Sequence, residues 1–192
     1  MESRILFLGP VGAGKTTAVR TISDIEAVDT DVQASDEVAD LKRTTTVAMD
    51  MGILQLSDTE RVVLYGAPGQ DRFDFMWEIL LEQSDAVLLV LDHSAADPVA
   101  DFRRYHTALM QVPRQRLPMA VGLTHVDCAP QLPLSVYDDY LHAARARCGC
   151  MMCTPPVLTM DTRERSDVRA ALVTLAAMLE VSQRLPIKPC VA

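Results

Sequence analysis

With 192 residues, 49% of them hydrophobic and 23% charged, the chain is long enough to bury one sizeable core and has the composition of an ordinary globular protein. A net charge of −8 without any sustained basic stretch argues against a polyanion-binding surface, so neither nucleic acid nor an electrostatic membrane anchor is expected. No apolar run is long enough to span a bilayer, Glu2 and Cys190 do not fit myristoylation or prenylation motifs, and five cysteines suggest reduced thiols, so a single cytoplasmic domain over residues 1–192 is expected.

Apolar runs of strand length alternate with amphipathic stretches of helix length. The first run, Arg4–Leu8, leads into Gly9-Pro10-Val11-Gly12-Ala13-Gly14-Lys15-Thr16, a complete G-x-x-x-x-G-K-[ST] motif, and a helix is predicted over Gly14–Asp24. Strand, glycine-rich turn and helix together make a phosphate cradle. The glycines let successive main-chain N–H groups point inward, and the helix start adds its positive dipole end. Lys15 supplies a point charge to the terminal phosphates, and the Thr16 hydroxyl is a hard oxygen ligand for Mg²⁺. Gly9, Gly12, Ala13, Gly14, Lys15, Thr16 and Thr17 are therefore the candidate phosphate-binding residues.

Thr46–Leu56 and Arg61–Tyr65, joined through Ser57-Asp58-Thr59-Glu60, predict a hairpin. Gly66-Ala67-Pro68-Gly69-Gln70 follows, then a helix over Arg72–Gln83 that is apolar around most of its circumference. Its surplus of apolar side chains, Phe73 and Trp77 in particular, predicts a partner-binding surface. Asp85–Leu91 is a strand ending in the polar turn Asp92-His93-Ser94, to which no catalysis is assigned. Asp97 caps a helix over Pro98–Gln111, with proline at the first helical position. Met119–Leu123 is a strand followed by Thr124-His125-Val126-Asp127, and a helix is predicted over Ser135–Arg147. The thiols of Cys148, Cys150 and Cys153 lack an obvious fourth ligand beyond His142 and fit packing or redox sensitivity better than a metal. Pro156–Met160 is the last strand, and Ser166-Asp167 is expected to cap a helix running to Gln183. The expected fold is α/β: a six-stranded mixed sheet with helices on both faces.

The order of Gly66-Ala67-Pro68-Gly69-Gln70 and Thr124-His125-Val126-Asp127 behind the phosphate motif resembles the Ras-like small GTPases, with their D-x-x-G-Q and [NT]-K-x-D motifs. The likeness covers almost the whole chain. The segments from Thr44 to Gly52 and from Gly69 to Glu78 are most similar to the bacterial and archaeal GTPases related to MglA, often encoded beside Roadblock-domain proteins. The resemblance implies a P-loop NTPase fold of the G-domain type, binding of GTP and GDP with Mg²⁺, slow hydrolysis, and a switch role in signalling, motility or polarity. It also implies a Roadblock-type partner. By the same resemblance Gly69 senses the γ-phosphate, Gln70 orients the attacking water, and Thr46 reaches Mg²⁺ in the triphosphate state, with Thr44 and Thr45 as competitors. Asp127 accepts the N1 and N2 protons of guanine, while Thr124 and His125 complete the base motif; Met160-Asp161-Thr162 stands where a fifth motif belongs but matches it poorly.

Two departures bear on affinity. The aspartate of D-x-x-G is Gly66, which weakens Mg²⁺ binding unless Asp50 on the adjacent strand substitutes, and the lysine of [NT]-K-x-D is His125. They leave room for a degenerate nucleotide-binding scaffold without hydrolysis. A P-loop small-molecule kinase is a further alternative, although its lid would have to be the short Arg114-Gln115-Arg116 segment. Arg43 stands three residues before Thr46, the spacing of the built-in arginine of Gα subunits, and is assigned as a catalytic arginine in cis beside Lys15 and Gln70. In single-turnover hydrolysis, Arg43→Ala should slow phosphate release by roughly 10³-fold while nucleotide binding holds; a loss below about tenfold contradicts the assignment.

Overall fold

A computed structural model of the chain describes residues 2–25, 28–29, 49–70, 75–111, 117–145 and 154–184. Arg43, Thr44, Thr45, Thr46, Phe73, the Arg114–Arg116 segment and the Cys148–Cys153 segment lie outside them. The strands are β1 (Glu2–Leu8), β2 (Val28–Asp29), β3 (Asp50–Gln55), β4 (Arg61–Gly66), β5 (Ala86–Asp92), β6 (Met119–Thr124) and β7 (Val157–Thr159). The helices are α1 (Lys15–Ile22), α2 (Phe75–Glu82), α3 (Pro98–Gln111), α4 (Ser135–Arg145) and α5 (Arg165–Arg184).

All strands join one sheet in the order β2-β3-β4-β1-β5-β6-β7. β1 lies between β4 and β5 and runs parallel to both, and β5, β6 and β7 continue in parallel. Only β3, paired antiparallel with β4 and with β2, breaks the pattern, as the hairpin expectation requires. The six expected strands are therefore present. β2 is a seventh, and two residues are too few to show an alternation in the sequence.

The sheet is covered on both faces, and the period of two along β1 decides which side chain goes where. Ile5 and Phe7 join a core with Ala18, Val19 and Ile22 of α1 and Val168, Leu172 and Leu175 of α5. Leu6 and Leu8 join the opposite core with Trp77 and Leu80 of α2, Phe102 and Tyr105 of α3, and Tyr137 of α4. Because both faces are buried, β5 is buried at every residue from Ala86 to Leu91, which is why it reads as an unbroken aliphatic run.

The outer edge of β3 beyond β2 is closed by the end of α1. Asp24 N–H donates to Ile53 O at 2.7 Å, Ile53 N–H donates to Ser23 Oγ at 3.1 Å, and Gln55 N–H donates to Asp24 Oδ2 at 2.8 Å. Arg165 then ties this corner to α5 through Asp24 Oδ1 at 2.5 Å. A sheet edge that would otherwise present free N–H and C=O groups is thus paired within the chain.

Asp97 caps α3 as expected, its Oδ1 accepting the Ala100 N–H at 2.9 Å. Two expectations fail. α5 begins at Arg165, and Asp167 turns its carboxylate to the Asp161 N–H at 3.1 Å instead of capping the helix with Ser166. Trp77 is only 6% exposed and stacks on Tyr105 with ring centroids 4.8 Å apart. It is core, not partner surface, because α2 packs its bulkiest described side chain onto α3; Ile79 is the exposed apolar residue there, at 53%.

Candidate nucleotide site

β1, β4, β5, β6 and β7 are mutually parallel, so their carboxyl ends share one edge of the sheet. In an open α/β sheet that edge is where ligands bind, at the crevice where the chain winds off to opposite sides of the first strand. Every candidate motif within the described residues starts there: the phosphate loop after Leu8, Gly66–Gln70 at the end of β4, and Thr124–Asp127 at the end of β6.

The phosphate loop depends on glycine at two points where another residue would fail. A Cβ on Gly9 would lie 2.0 Å from Val90 O, so the loop can leave β1 against β5 only without a side chain. Gly14 starts α1 in the left-handed region, with φ 94°, and a Cβ there would meet Thr162 Oγ1 at 2.9 Å. The fifth-motif segment is thereby pressed onto the phosphate loop.

Lys15 is 8% exposed, and its Nζ donates to Gly9 O at 2.7 Å and Pro10 O at 2.6 Å. Burial pushes its pKa down to about 8, and the negative charge of Asp50 offsets only part of that cost. Gly69 lies against the same loop, since a Cβ added there would stand 2.6 Å from Val11 N and 2.7 Å from Lys15 Nζ. The segment carrying Gln70 is thus in contact with the loop, and Gln70 itself is exposed beside it.

Thr16 Oγ1 donates to Asp50 Oδ2 at 2.5 Å. Asp50 is the register partner of Gly66 across β3 and β4, and a Cβ on Gly66 would meet Asp50 Cβ at 3.0 Å and Oδ2 at 3.1 Å. The carboxylate of the neighbouring strand therefore fills the space that an aspartate at 66 would need. Thr16 and Asp50 offer hard oxygens in contact with each other, the donor chemistry that Mg²⁺ takes.

The base motif flanks a cavity of about 590 Å³ lined by Gly12, Gly14, Thr17, His125, Asp127 and the segment from Thr159 to Arg163, among others. Thr124 lines it from a buried position, with Oγ1 3.1 Å from both Ala13 O and Leu91 O. Its hydroxyl ties the base motif to the phosphate loop. His125 adopts φ 53°, unusual for a non-glycine residue, with Nδ1 3.0 Å from Thr124 Oγ1 and 3.3 Å from Asp92 Oδ1. Below the motif, buried His93 places Nε2 3.1 Å from Leu132 O and Nδ1 2.8 Å from Tyr137 Oη. A carbonyl facing Nε2 requires a proton on that nitrogen, so Tyr137 donates to Nδ1. Burial, then the charges of Asp92 and Asp101, push Tyr137 up to about 12, which keeps its phenol protonated.

The structure brings together Gly9, Gly12, Ala13, Gly14, Lys15, Thr16, Thr17, Gly69, Thr124, His125 and Asp127 along one edge. It adds Arg163, which the sequence did not single out, and brings in Asp161 and Asp167, read there as a poorly fitting fifth motif and a helix cap. The signal was the position of Met160-Asp161-Thr162 after the last strand, obscured by its poor fit to a fifth motif.

Comparison with known proteins agrees with the geometry. A family model described as "conserved hypothetical ATP binding protein" matches residues 26–179. An uncharacterised protein of Methanocaldococcus jannaschii, MJ1339, is 32% identical over 94 residues, covering 48% of this chain and 53% of that protein. The chain thus spans about half the length of this curated relative. The G domain of the T. maritima FeoB iron transporter superposes with a TM-score of 0.62 at 14% identity, covering 92% of this chain and 98% of the other, a likeness of fold. Among the described residues no helix is long and apolar enough to cross a membrane.

The state of Lys15 sets a pH dependence of two opposite signs. Its folded-state pKa lies below the unfolded value, so the charged form costs stability below about pH 8, and that cost is relieved as pH rises through 8. Binding a phosphate needs the charged form, so affinity should fall over the same range. Between pH 7 and 9 the nucleotide Kd should rise in calorimetric titration while the melting temperature of the free protein changes in the favourable direction relative to Lys15→Met. A Kd flat over this range contradicts the assignment. Phosphate loop, buried lysine and matched family together place the chain: it belongs to the conserved hypothetical ATP binding protein family, a group of nucleotide-binding P-loop proteins, and carries the fold of a G domain.

Proposed function

We propose that the chain is a small GTPase that binds GTP and GDP with Mg²⁺ and works as a slowly hydrolysing switch. The observation that carries this reading is the seat of Gly69 on Val11 N and Lys15 Nζ. A segment in contact with the loop that grips the terminal phosphate has different contacts with and without that phosphate, and such a difference is what moves a switch.

Lys15 holds the β- and γ-phosphates by charge, and the main-chain N–H groups of the loop complete the cradle. Gln70, beside Gly69, orients the attacking water. Thr16 and Asp50 would hold Mg²⁺, Asp50 taking over the part that Gly66 leaves open, and Thr46 would join them in the triphosphate state. Bound there, Mg²⁺ supplies neutralising charge to the phosphates. A Roadblock-type regulator, implied by the MglA-like motifs, is the proposed partner in signalling or polarity, and Ile79 on α2 offers it an exposed apolar contact.

The family description favours a second reading, an ATP-specific protein on the same loop. Titrating GTP, GDP and ATP in magnesium buffer and following phosphate release separates the two. The GTPase reading expects guanine nucleotides to bind at least tenfold tighter than ATP, with turnover well below one per minute, on the order of intrinsic Ras-like rates. Preference for ATP contradicts it, and guanine binding without phosphate release reduces the chain to a scaffold. The Asp50 assignment has its own check. Gly66→Asp, which restores the common motif, should weaken Mg²⁺-dependent binding because two carboxylates meet in one space, and Asp50→Ala in the same chain should recover it. Gly66→Asp binding as well as wild type contradicts the assignment.

A further inference from the structure

The base end of the cavity holds one guanidinium fixed in its plane. Arg163 Nε donates to Asp161 Oδ1 at 2.9 Å, and Nη2 donates to Asp161 Oδ2 at 2.7 Å. The main-chain N–H of Arg163 also donates to Asp161 Oδ1 at 2.9 Å, so side chain and turn lock each other. Asp161 is anchored in its turn, its own N–H donating to Asp167 Oδ2 at 3.1 Å. The two-pronged contact holds the Asp161 carboxyl down at about 2, and the contact with Asp161, helped by the more distant charge of Asp127, keeps Arg163 firmly protonated. Nη1, the third guanidinium nitrogen, has no partner among the described residues.

Several other donors of the cavity lining are already committed. The Thr124 hydroxyl faces Ala13 O and Leu91 O, and His125 commits Nδ1 to Thr124 and Asp92. The main-chain amides of Asp161 and Arg163 are both committed to carboxylates. Asp127, a carboxylate, and the third nitrogen of Arg163 stand on the wall of this one cavity. Guanine presents the complement of such a pair: donors at N1 and N2 on one edge, and acceptors at O6 and N7 on another. Adenine offers N7 beside an amino group, which a guanidinium cannot accept from.

We propose that Arg163, held in place by Asp161, is a specificity residue that donates to the O6/N7 edge of a guanine nucleotide while Asp127 takes its N1/N2 edge. This rests on the nucleotide site of the proposed function and adds a residue to it. Asp161 acts through Arg163 and is a positioning residue.

Competition binding with GTP, 7-deaza-GTP (no N7 acceptor) and ITP (no N2 amine) in magnesium buffer tests it, on wild type, Arg163→Ala and Arg163→Lys. Wild type should bind 7-deaza-GTP about tenfold or more weaker than GTP, the size of one good base-edge contact. In Arg163→Ala that gap should close to within about twofold, with GTP falling to the 7-deaza level, and Arg163→Lys should not restore it, because a single ammonium lacks the two-pronged seat on Asp161 that directs a third nitrogen to the base. The gap between GTP and ITP, which reports Asp127, should persist in all three proteins. A wild type that binds GTP and 7-deaza-GTP alike while still preferring GTP to ITP overturns the role of Arg163 and leaves the guanine switch standing. An undiminished 7-deaza gap in Arg163→Ala overturns it equally. A wild type that distinguishes none of the three nucleotides overturns both.

Discussion

Lys15 is an ammonium group taken out of water and given two main-chain carbonyls, Gly9 O and Pro10 O, for its three protons. Burial depresses its pKa to about 8 despite those two partners. A third partner bearing negative charge would repair it, and the inward-facing loop leaves a phosphate as the group that fits. The rest of the site is arranged around this deficit. Gly69 approaches within contact of Nζ, Asp50 lends a distant charge, and Gly9 lacks a side chain so that the loop can turn away beneath Val90 O.

Gly66 and Asp50 show how one carboxylate position can be offered from either of two paired strands. Asp50 and Gly66 are opposite one another on antiparallel strands, so a carboxylate can reach the same space from either backbone. A carboxylate on both would crowd, because a Cβ on Gly66 would stand 3.0 Å from Asp50 Cβ. The base end follows the same logic. The threonine at 124 has turned its hydroxyl inward to Ala13 O, and the guanidinium of Arg163 stands on the wall of the same cavity.

Much of the fold was legible because strong local signals agreed with it. The unbroken aliphatic run of β5 marked a doubly covered strand, and Asp97-Pro98 marked the start of α3 to the residue. β2 was not legible, since two residues carry no periodicity, and the α5 cap was misplaced because Asp167 answers a tertiary demand from the Asp161 N–H. Trp77 was misassigned for a related reason: a helix apolar all round does not say which side meets the sheet, and only packing against Tyr105 decides it. At the site, the strand, glycine turn and helix around Gly9–Thr16 were readable from residue types alone, since their signal is local. The Asp161–Arg163 clamp was not, because nothing in its sequence shows that the turn folds over a cavity built with the ends of two other strands, β1 and β6.

The claim on which all else rests is that the buried ammonium of Lys15 is an incomplete phosphate site. Calorimetric titration of Mg²⁺·GDP into protein purified free of nucleotide, beside Lys15→Met, measures it most directly. The account predicts saturable one-to-one binding by the wild type and a loss of about a hundredfold or more in the variant, as expected for removal of a charge-assisted contact in a buried site. Equal affinity in the two proteins, or no binding by a folded wild type, would contradict it.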